Sequence, residues 1–287
     1  MPSQYLGRFA PSPSGSLHFG SLVAALGSYL RARSVNGKWL LRIEDIDPPR
    51  EVAGAADDIM RTLEAFGLYW DETALYQSQR IDAYEAQLEQ LRLNNQAYYC
   101  QCTRKQIKAM GGVYDGRCFE TRSAQGAIRV RNSAGVSQFN DMLKGQVNTD
   151  AHFAKEDFII KRSDGLQAYQ LAVVLDDAYQ GITEVVRGSD LLEVTCRQLS
   201  LYQIFELSAP NWIHLPLACT KPGFKLSKQN SATAVDAKHP HESLQLALQF
   251  LNQKTVEYHT DISLMIEQAV KQFQLKDIST ENEILIK

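Results

Sequence analysis

Arg8-Phe9-Ala10-Pro11-Ser12-Pro13-Ser14-Gly15-Ser16-Leu17-His18-Phe19-Gly20-Ser21 decides how the rest of this chain is read. Its Pro, Ser and Gly content predicts a loop. A helical run follows at once, Leu22 to Arg33, with apolar Leu22, Val23, Leu26 and Leu30. A tight loop entering a helix leaves unpaired backbone N–H groups, which favour an anion. His18 adds a polar side chain beside that helix start, and Gly20 lets a ligand approach the backbone closely. On these residues alone two readings stay open: a nucleotide-phosphate site, or an ordinary surface loop with a Ser or Gly cap.

Working outward, Asn36-Gly37 predicts the end of that helix. Lys38-Trp39-Leu40-Leu41-Arg42-Ile43 reads as a buried strand that runs into the polar cluster Glu44-Asp45-Ile46-Asp47. Loop, helix, strand, then polar residues at the strand's C-terminal end is the order of a doubly wound α/β fold. Amphipathic helices are expected over 52–66 and 82–93. From Tyr98 to about Arg162 the pattern changes to short strands (127–131 and 157–161) and the turn Ser163-Asp164-Gly165, expected as a smaller α+β insertion. Helix and strand alternation resumes at Gln167, with a strand over 182–188, a helix over 190–205 and a strand over 212–215. A loop is expected over 221–230, then helices near 241–251 and 262–273. The expected domains are 1–97 and 166–220 as two halves of a catalytic α/β domain, 98–165 as the insertion, and 221–287 as the lysine loop with a helical C-terminal part.

The 287 residues give a soft prior of about two domains. Apolar residues at 44% and charged residues at 22% describe an ordinary globular chain and exclude a disordered or fibrous one. No apolar run approaches the roughly 20 residues that span a bilayer, and the N-terminus lacks a basic-then-apolar leader. The expectation is a cytoplasmic protein without a membrane partner, acting as a monomer. A net charge of −3 argues against a surface that is basic throughout. Five cysteines, an odd number, argue against a disulfide scaffold.

The loop Lys221-Pro222-Gly223-Phe224-Lys225-Leu226-Ser227-Lys228-Gln229-Asn230 carries three lysines on a Gly/Pro frame, which suits polyphosphate. Paired with the opening stretch, it carries a resemblance. His18-Phe19-Gly20-Ser21 is similar to the His-x-Gly-x signature of class I aminoacyl-tRNA synthetases, and Lys225-Leu226-Ser227-Lys228-Gln229 to their lysine-rich signature. Within that class, residues 8–15, Leu41-Arg42-Ile43-Glu44-Asp45-Ile46-Asp47 and Gly181-Ile182-Thr183-Glu184-Val185-Val186-Arg187-Gly188 resemble the glutamyl-tRNA synthetases. The likeness covers about residues 5 to 230. Ser21 stands where the general class pattern has a second His, and Gln229 where it has a terminal Ser.

The resemblance implies a Rossmann-type fold and an attack of a glutamate carboxylate on the α-phosphorus of ATP, with Mg2+ accompanying the nucleotide. It implies that His18, Lys228 and Lys225 stabilise charge on the phosphates, with Gly20, Ser21, Leu226, Ser227 and Gln229 lining the ATP site. L-glutamate carries two carboxylates and one ammonium. Arg8 and Arg187 suit the carboxylates, because a guanidinium makes rigid bidentate pairs, and Glu44 suits the ammonium. The resemblance adds Phe9, Ala10, Pro11, Ser12 and Tyr169 beside the amino acid.

Cys100-Gln101-Cys102 and Cys118 have the spacing of a structural zinc site, which takes four ligands. Nearby, Tyr114 is the better fourth donor and Asp115 the alternative. This Cys-x-Cys, Tyr-x-x-x-Cys pattern resembles the zinc knuckle of a truncated subgroup of the glutamate branch. That subgroup places glutamate on the queuosine base in the anticodon of tRNA(Asp). Only 57 residues follow Asn230, which leaves room for two or three helices and no anticodon-binding domain. Arg104, Lys105, Lys108, Arg117 and Arg122 are candidates for RNA phosphate contact. The rival expectations are a short synthetase that charges a tRNA 3′ end and a catalytically silent tRNA-binding paralogue.

Overall fold

The computed structural model describes residues 4–121, 123–226 and 234–286. The chain begins β1 (Leu6–Phe9), α1 (Phe19–Ser34), β2 (Lys38–Ile43), α2 (Ala55–Ala65), β3 (Leu75–Tyr76) and α3 (Ile81–Leu93). β1 pairs with β2 and β2 with β3, both in parallel. The middle of the chain holds β4 (Ala97–Cys100), α4 (Arg104–Ala109), α5 (Cys118–Thr121), β5 (Ala127–Val130), β6 (Gln138–Asp141), β7 (Gly145–Asn148), α6 (Ala151–Lys155) and β8 (Ile159–Lys161). There β4, β5 and β8 form an antiparallel sheet, and β6 and β7 form a hairpin.

Parallel pairing then returns. α7 (Tyr169–Tyr179) leads into β9 (Glu184–Gly188), and α8 (Thr195–Ile204) into β10 (Asn211–Leu215), with β9 and β10 parallel. β9 lies beside β1, tied by Thr183 N–H donating to the Leu6 carbonyl at 2.9 Å. The strand order is therefore β3, β2, β1, β9, β10, and the winding reverses between β1 and β9. That reversal opens a crevice at the C-terminal ends of the strands, where doubly wound folds place their ligands. Arg8, Glu44 and Arg187 all sit at those ends.

Both faces of this sheet are covered, so its strands read as apolar runs whose residues alternate between two cores. Leu41, Ile43, Val186, Ile213 and Leu215 pack with α1, α9 (Pro240–Phe250) and α10 (Ile262–Gln272). Leu40, Val185 and Trp212 face the other way, onto Leu88, Leu171 and Leu201 of α3, α7 and α8. Ile128, Val130, Phe158 and Ile160 of the middle segment share that second core. α1 approaches β10 closely enough that a Cβ at Gly27 would lie 2.6 Å from Leu215 Cδ1, so a larger residue there would force the Leu215 side chain to move.

The strand expected over 38–43 is β2, residue for residue. The first helix starts earlier than expected, at Phe19, because the His18 side chain caps it. The helix expected from Asp190 opens instead as a 3-10 turn, Ser189–Leu191, and α8 starts only at Thr195. The loop expected over 221–230 is partly strand. β11 (Leu217–Lys221) and β12 (Phe224–Lys225) make a hairpin that turns through Gly223 at φ 75, and β11 also takes β13 (Glu283–Leu285) in parallel. Strands this short carry no readable period. Among the described residues no helix is long and apolar enough to cross a membrane.

Candidate active site

The opening loop crosses the C-terminal end of β2. Proline cannot donate from its backbone, but its carbonyl accepts, and two prolines are used this way. Glu44 N–H donates to the Pro11 carbonyl at 3.0 Å and Val52 N–H to that of Pro13 at 2.9 Å. His18 caps α1: its Nδ1 accepts Ser21 N–H at 3.3 Å, and its Nε2 lies 3.1 Å from Ser21 Oγ. The hydroxyl that replaces the second His of the class pattern thus serves the His18 ring. Gly20 accommodates that ring, since a Cβ there would lie 3.2 Å from His18 Cε1.

A cleft of about 400 Å³ opens at this helix start, lined by Phe9, Ser12, His18, Gly20, Gly188 and Lys225 among others. Its polar helix terminus suits phosphate oxygens. Lys225 Nζ pairs with Asp190 inside the same cleft. Leu226 is held by its N–H on the Ala218 carbonyl at 2.7 Å, and Ala234 forms a bridge with His18. Ser227, Lys228 and Gln229, expected in the phosphate site, lie outside the described residues, as does Arg122.

Behind the loop, the strand ends bring Arg8, Arg42, Glu44, Tyr169 and Arg187 together. Arg8 is 3% exposed and meets Asp177 through Nε to Oδ1 at 2.9 Å and Nη2 to Oδ2 at 3.3 Å. Arg42 donates to the same Asp177 Oδ1 at 2.7 Å and to Gln180 at 2.8 Å. Burial alone would push the Asp177 carboxyl up, but the two guanidinium groups outweigh it and hold the carboxyl below its usual range. Glu44 has the reverse balance. Its side chain is 9% exposed, its nearest cation is Arg42 Nε at 3.9 Å, and burial pushes its carboxyl up to about 7 against the pull of Arg42 and Arg8. An ammonium placed against Glu44 would supply the counter-charge that the fold withholds.

Arg187 is the other incomplete group. It is 6% exposed, and all its direct partners are uncharged. Nε donates to His214 Nε2 at 3.1 Å, Nη2 to Thr195 Oγ1 at 2.8 Å, and Nη1 lies 3.4 Å from the Tyr169 hydroxyl. Trp212 covers one face of the guanidinium at 4.6 Å. Among the described residues no carboxylate lies within ion-pair distance of it. A buried cation without a counter-ion is costly, and an anionic ligand relieves that cost. A molecule with one ammonium and two carboxylates complements Glu44, Arg8 and Arg187.

Sequence reasoning missed Asp177, Asp141, His214, Thr195 and Asp190. The first two are buried acids. Asp177 had a usable signal, because Asp176-Asp177 directly follows the apolar run Leu171–Leu175. So did His214, a lone His inside Trp212-Ile213-His214-Leu215.

In the middle segment the Cys100, Cys102 and Cys118 sulfurs all lie within 4.8 Å of one another, and Cys102 Sγ is 3.5 Å from Cys118 Sγ. Tetrahedral zinc with Zn–S near 2.3 Å needs sulfurs about 3.8 Å apart, so the donors fit. Burial raises the Cys118 thiol, but hydrogen bonds from Tyr114 and Cys102 outweigh it and bring it down to about 7. Burial and its contact with Cys118 push Cys102 up to about 12. The Tyr114 hydroxyl oxygen accepts Cys118 N–H at 2.8 Å, beside these sulfurs. Asp115 is taken up by Arg117, at 2.7 Å from Nη2.

Comparison with known proteins agrees with this geometry. Residues 5–285 match the family "tRNA synthetases class I (E and Q), catalytic domain". A glutamyl-Q tRNA(Asp) synthetase of Shewanella oneidensis is 66% identical over 284 residues, covering 98% of this chain and 95% of that protein. Its counterpart in Escherichia coli is 54% identical over 277 residues, covering 95% of this chain and 90% of that one. Among solved structures, a glutamate tRNA ligase of Elizabethkingia meningosepticum in complex with its amino acid superposes with a TM-score of 0.78 at 22% identity. That superposition covers 97% of this chain and 66% of the ligase, and it speaks to the fold alone. With the strand order, the capped loop and the charged strand ends, these matches place the chain in the class I tRNA synthetase family of the glutamate and glutamine type, in the group of the glutamyl-Q tRNA(Asp) synthetases.

Proposed function

We propose that the protein activates L-glutamate with ATP and transfers the glutamyl group to the queuosine base in the anticodon of tRNA(Asp). In the first step a glutamate carboxylate oxygen bonds to the α-phosphorus of ATP and pyrophosphate leaves. In the second a hydroxyl of the modified base attacks the activated carbonyl and AMP leaves. The observation that carries this reading is Arg187, a buried guanidinium whose direct partners are all neutral, set opposite Glu44, whose carboxyl lacks a close cation. The names and near full-length identity of the Shewanella and Escherichia relatives support the choice of acceptor.

Arg8 and Arg187 take the two carboxylates of glutamate and Glu44 its ammonium. Tyr169 and the loop residues Phe9, Ala10, Pro11 and Ser12 wall the amino acid. His18, Gly20 and Ser21 at the start of α1 face the triphosphate, and Lys225, Leu226, Ser227, Lys228 and Gln229 are assigned to the same ATP by their sequence signature. Catalysis here is positioning plus charge neutralisation, since phosphoryl transfer needs little covalent help from the protein. Mg2+ enters with ATP, held by few protein groups. Zinc held by Cys100, Cys102, Tyr114 and Cys118 stiffens the middle segment, residues 98–165, between the two halves of the catalytic domain (1–97 and 166–220). The part from 221 to 287 carries the lysine loop and the helices α9 and α10. The working form is a cytoplasmic monomer.

Glutamate-dependent ATP–pyrophosphate exchange tests the first step. Mass mapping of labelled glutamate on tRNA tests the second. Label on the queuosine of tRNA(Asp) is the expected result. Label on the 3′ adenosine identifies a conventional charging enzyme instead, and no exchange with any amino acid, with or without tRNA, identifies a silent paralogue.

A further inference from the structure

The β6–β7 hairpin reaches from the middle segment back under β10. Met142 N–H donates to the Trp212 carbonyl at 2.8 Å, which brings Asp141 beneath His214. Asp141 is 1% exposed. Its Oδ1 accepts the N–H groups of Leu143 at 2.9 Å and Lys144 at 2.8 Å, and its Oδ2 lies 2.7 Å from His214 Nδ1. With one oxygen taken by two backbone donors, the carboxylate is an acceptor on both sides. The imidazole must therefore carry its proton on Nδ1.

That choice leaves a lone pair on Nε2. The Thr195 hydroxyl lies 3.1 Å from Nε2, but it donates to the Leu191 carbonyl at 2.8 Å and uses its own oxygen to accept Arg187 Nη2. The Nε2 lone pair is thus given to Arg187 Nε–H. Trp212 holds the guanidinium face, and its ring stacks beside His214 at 6.2 Å. One edge and one face of Arg187 are fixed, and the Nη1 side is left toward Tyr169.

The contrast with Arg8 gives this its meaning. Arg8 is oriented by the carboxylate of Asp177, which shares its charge. Arg187 is oriented by a neutral ring, and the nearest acid beyond that ring, Asp141, acts through it. A carboxylate at position 214 would orient Arg187 equally well and would also compete with the ligand for it. We infer that Asp141 and His214 are positioning residues of the amino-acid pocket, Asp141 fixing the imidazole with its proton on Nδ1 so that Nε2 orients the Arg187 guanidinium without cancelling its charge. This rests on the reading that Arg187 holds a glutamate carboxylate.

The test compares KM for glutamate with KM for ATP in pyrophosphate exchange. Asp141→Asn keeps the volume but lets the amide donate to Nδ1. The imidazole proton then moves to Nε2 and points at Arg187. The expected result is a rise of about tenfold in KM for glutamate, the size of one lost hydrogen bond to a charged group, with KM for ATP within about twofold. His214→Leu should do the same, and His214→Gln, whose amide oxygen accepts, should recover most of the loss. Arg187→Ala separates the layers. If it leaves KM for glutamate unchanged, the role of Arg187 itself is wrong. If it raises that KM while Asp141→Asn and His214→Leu do not, or if those two raise both KM values together, the positioning role is overturned. Nitrogen NMR of the labelled imidazole gives a readout without turnover. A neutral His214 protonated on Nδ1 at neutral pH is expected, and a proton on Nε2 overturns the inference.

Discussion

The Arg8 guanidinium and the Asp177 carboxylate lie 2.9 Å apart at Nε and Oδ1, joining the C-terminal end of β1 to α7 inside the protein. Asp177 also holds Arg42, so one acid serves two buried cations. Removing it takes the close counter-ion from both, leaving Arg42 with Gln180 at 2.8 Å, and breaking a buried pair in this way costs about 3–5 kcal/mol. Asp177→Ala should lower the unfolding free energy by about 3 kcal/mol in urea titrations. An unchanged midpoint and slope would show that solvent, and not Asp177, compensates the two arginines.

Glu44 predicts opposite effects on stability and activity. Its carboxyl has an ordinary value of 4.5 and is pushed up to about 7 in the folded chain, by burial first and then by the balance of Arg42, Arg8, Asp177 and Asp176. Between those values the folded state keeps a proton that the unfolded state has released. Stability from this group is therefore full below its unfolded value and falls as pH rises toward about 7. Glu44→Gln removes that loss. The variant should be more stable than the parent near pH 8 by an amount on the order of 2 kcal/mol, while exchange activity falls at least about a hundredfold as the ammonium contact goes. In the parent, KM for glutamate should rise as pH drops below about 7, because protonated Glu44 no longer attracts an ammonium. Paired thermal melts and exchange assays on the two proteins check both signs.

Cys102→Ala should empty the proposed zinc site, because three thiols and one phenol leave no spare donor. Metal analysis should find about one zinc per parent chain and close to none in the variant. Limited proteolysis should then cut first between residues 100 and 125. Equal zinc in both proteins would assign the metal elsewhere.

Gly20→Ala places a methyl 3.2 Å from His18 Cε1, so the capping ring has to shift by a few tenths of an ångström. The helix N-terminus and its phosphate face move with it. KM for ATP should rise several-fold, KM for glutamate should stay within about twofold, and the melting temperature should change little. Equal changes in both KM values would mean that the ring does not serve the phosphate side.

Much of the site was readable from residues close in the chain. The His18 loop, Glu44 after an apolar strand, Arg187 before Gly188 and Lys225 are short-range patterns, although the strands beside three of them form only by pairing with other segments of the chain. The three cysteines likewise converge from a spacing that could be counted. What stayed hidden were the partners. Asp177 lies 169 residues from Arg8, and Asp141 lies 73 from His214. The β11–β13 pairing joins residues 217–219 to 283–285, strands too short to announce themselves.

By itself, then, the sequence determined the class of the protein, the alternation that builds the parallel sheet, and the residue types that meet at its C-terminal edge. The class follows from the resemblance of its separated motifs to a known family, and the alternation from local periodicity and turn chemistry. Tertiary structure alone decided which of those charges are neutralised and which are left for a ligand. Arg8 shares the single carboxylate of Asp177 with Arg42 and so keeps part of its charge for a ligand, whereas Arg187 faces a neutral His214 and Glu44 is separated from its nearest cation by 3.9 Å. The reason is electrostatic. The free energy of a charge depends on its burial and on the few groups within hydrogen-bonding reach, and both are set by packing between segments far apart in the chain.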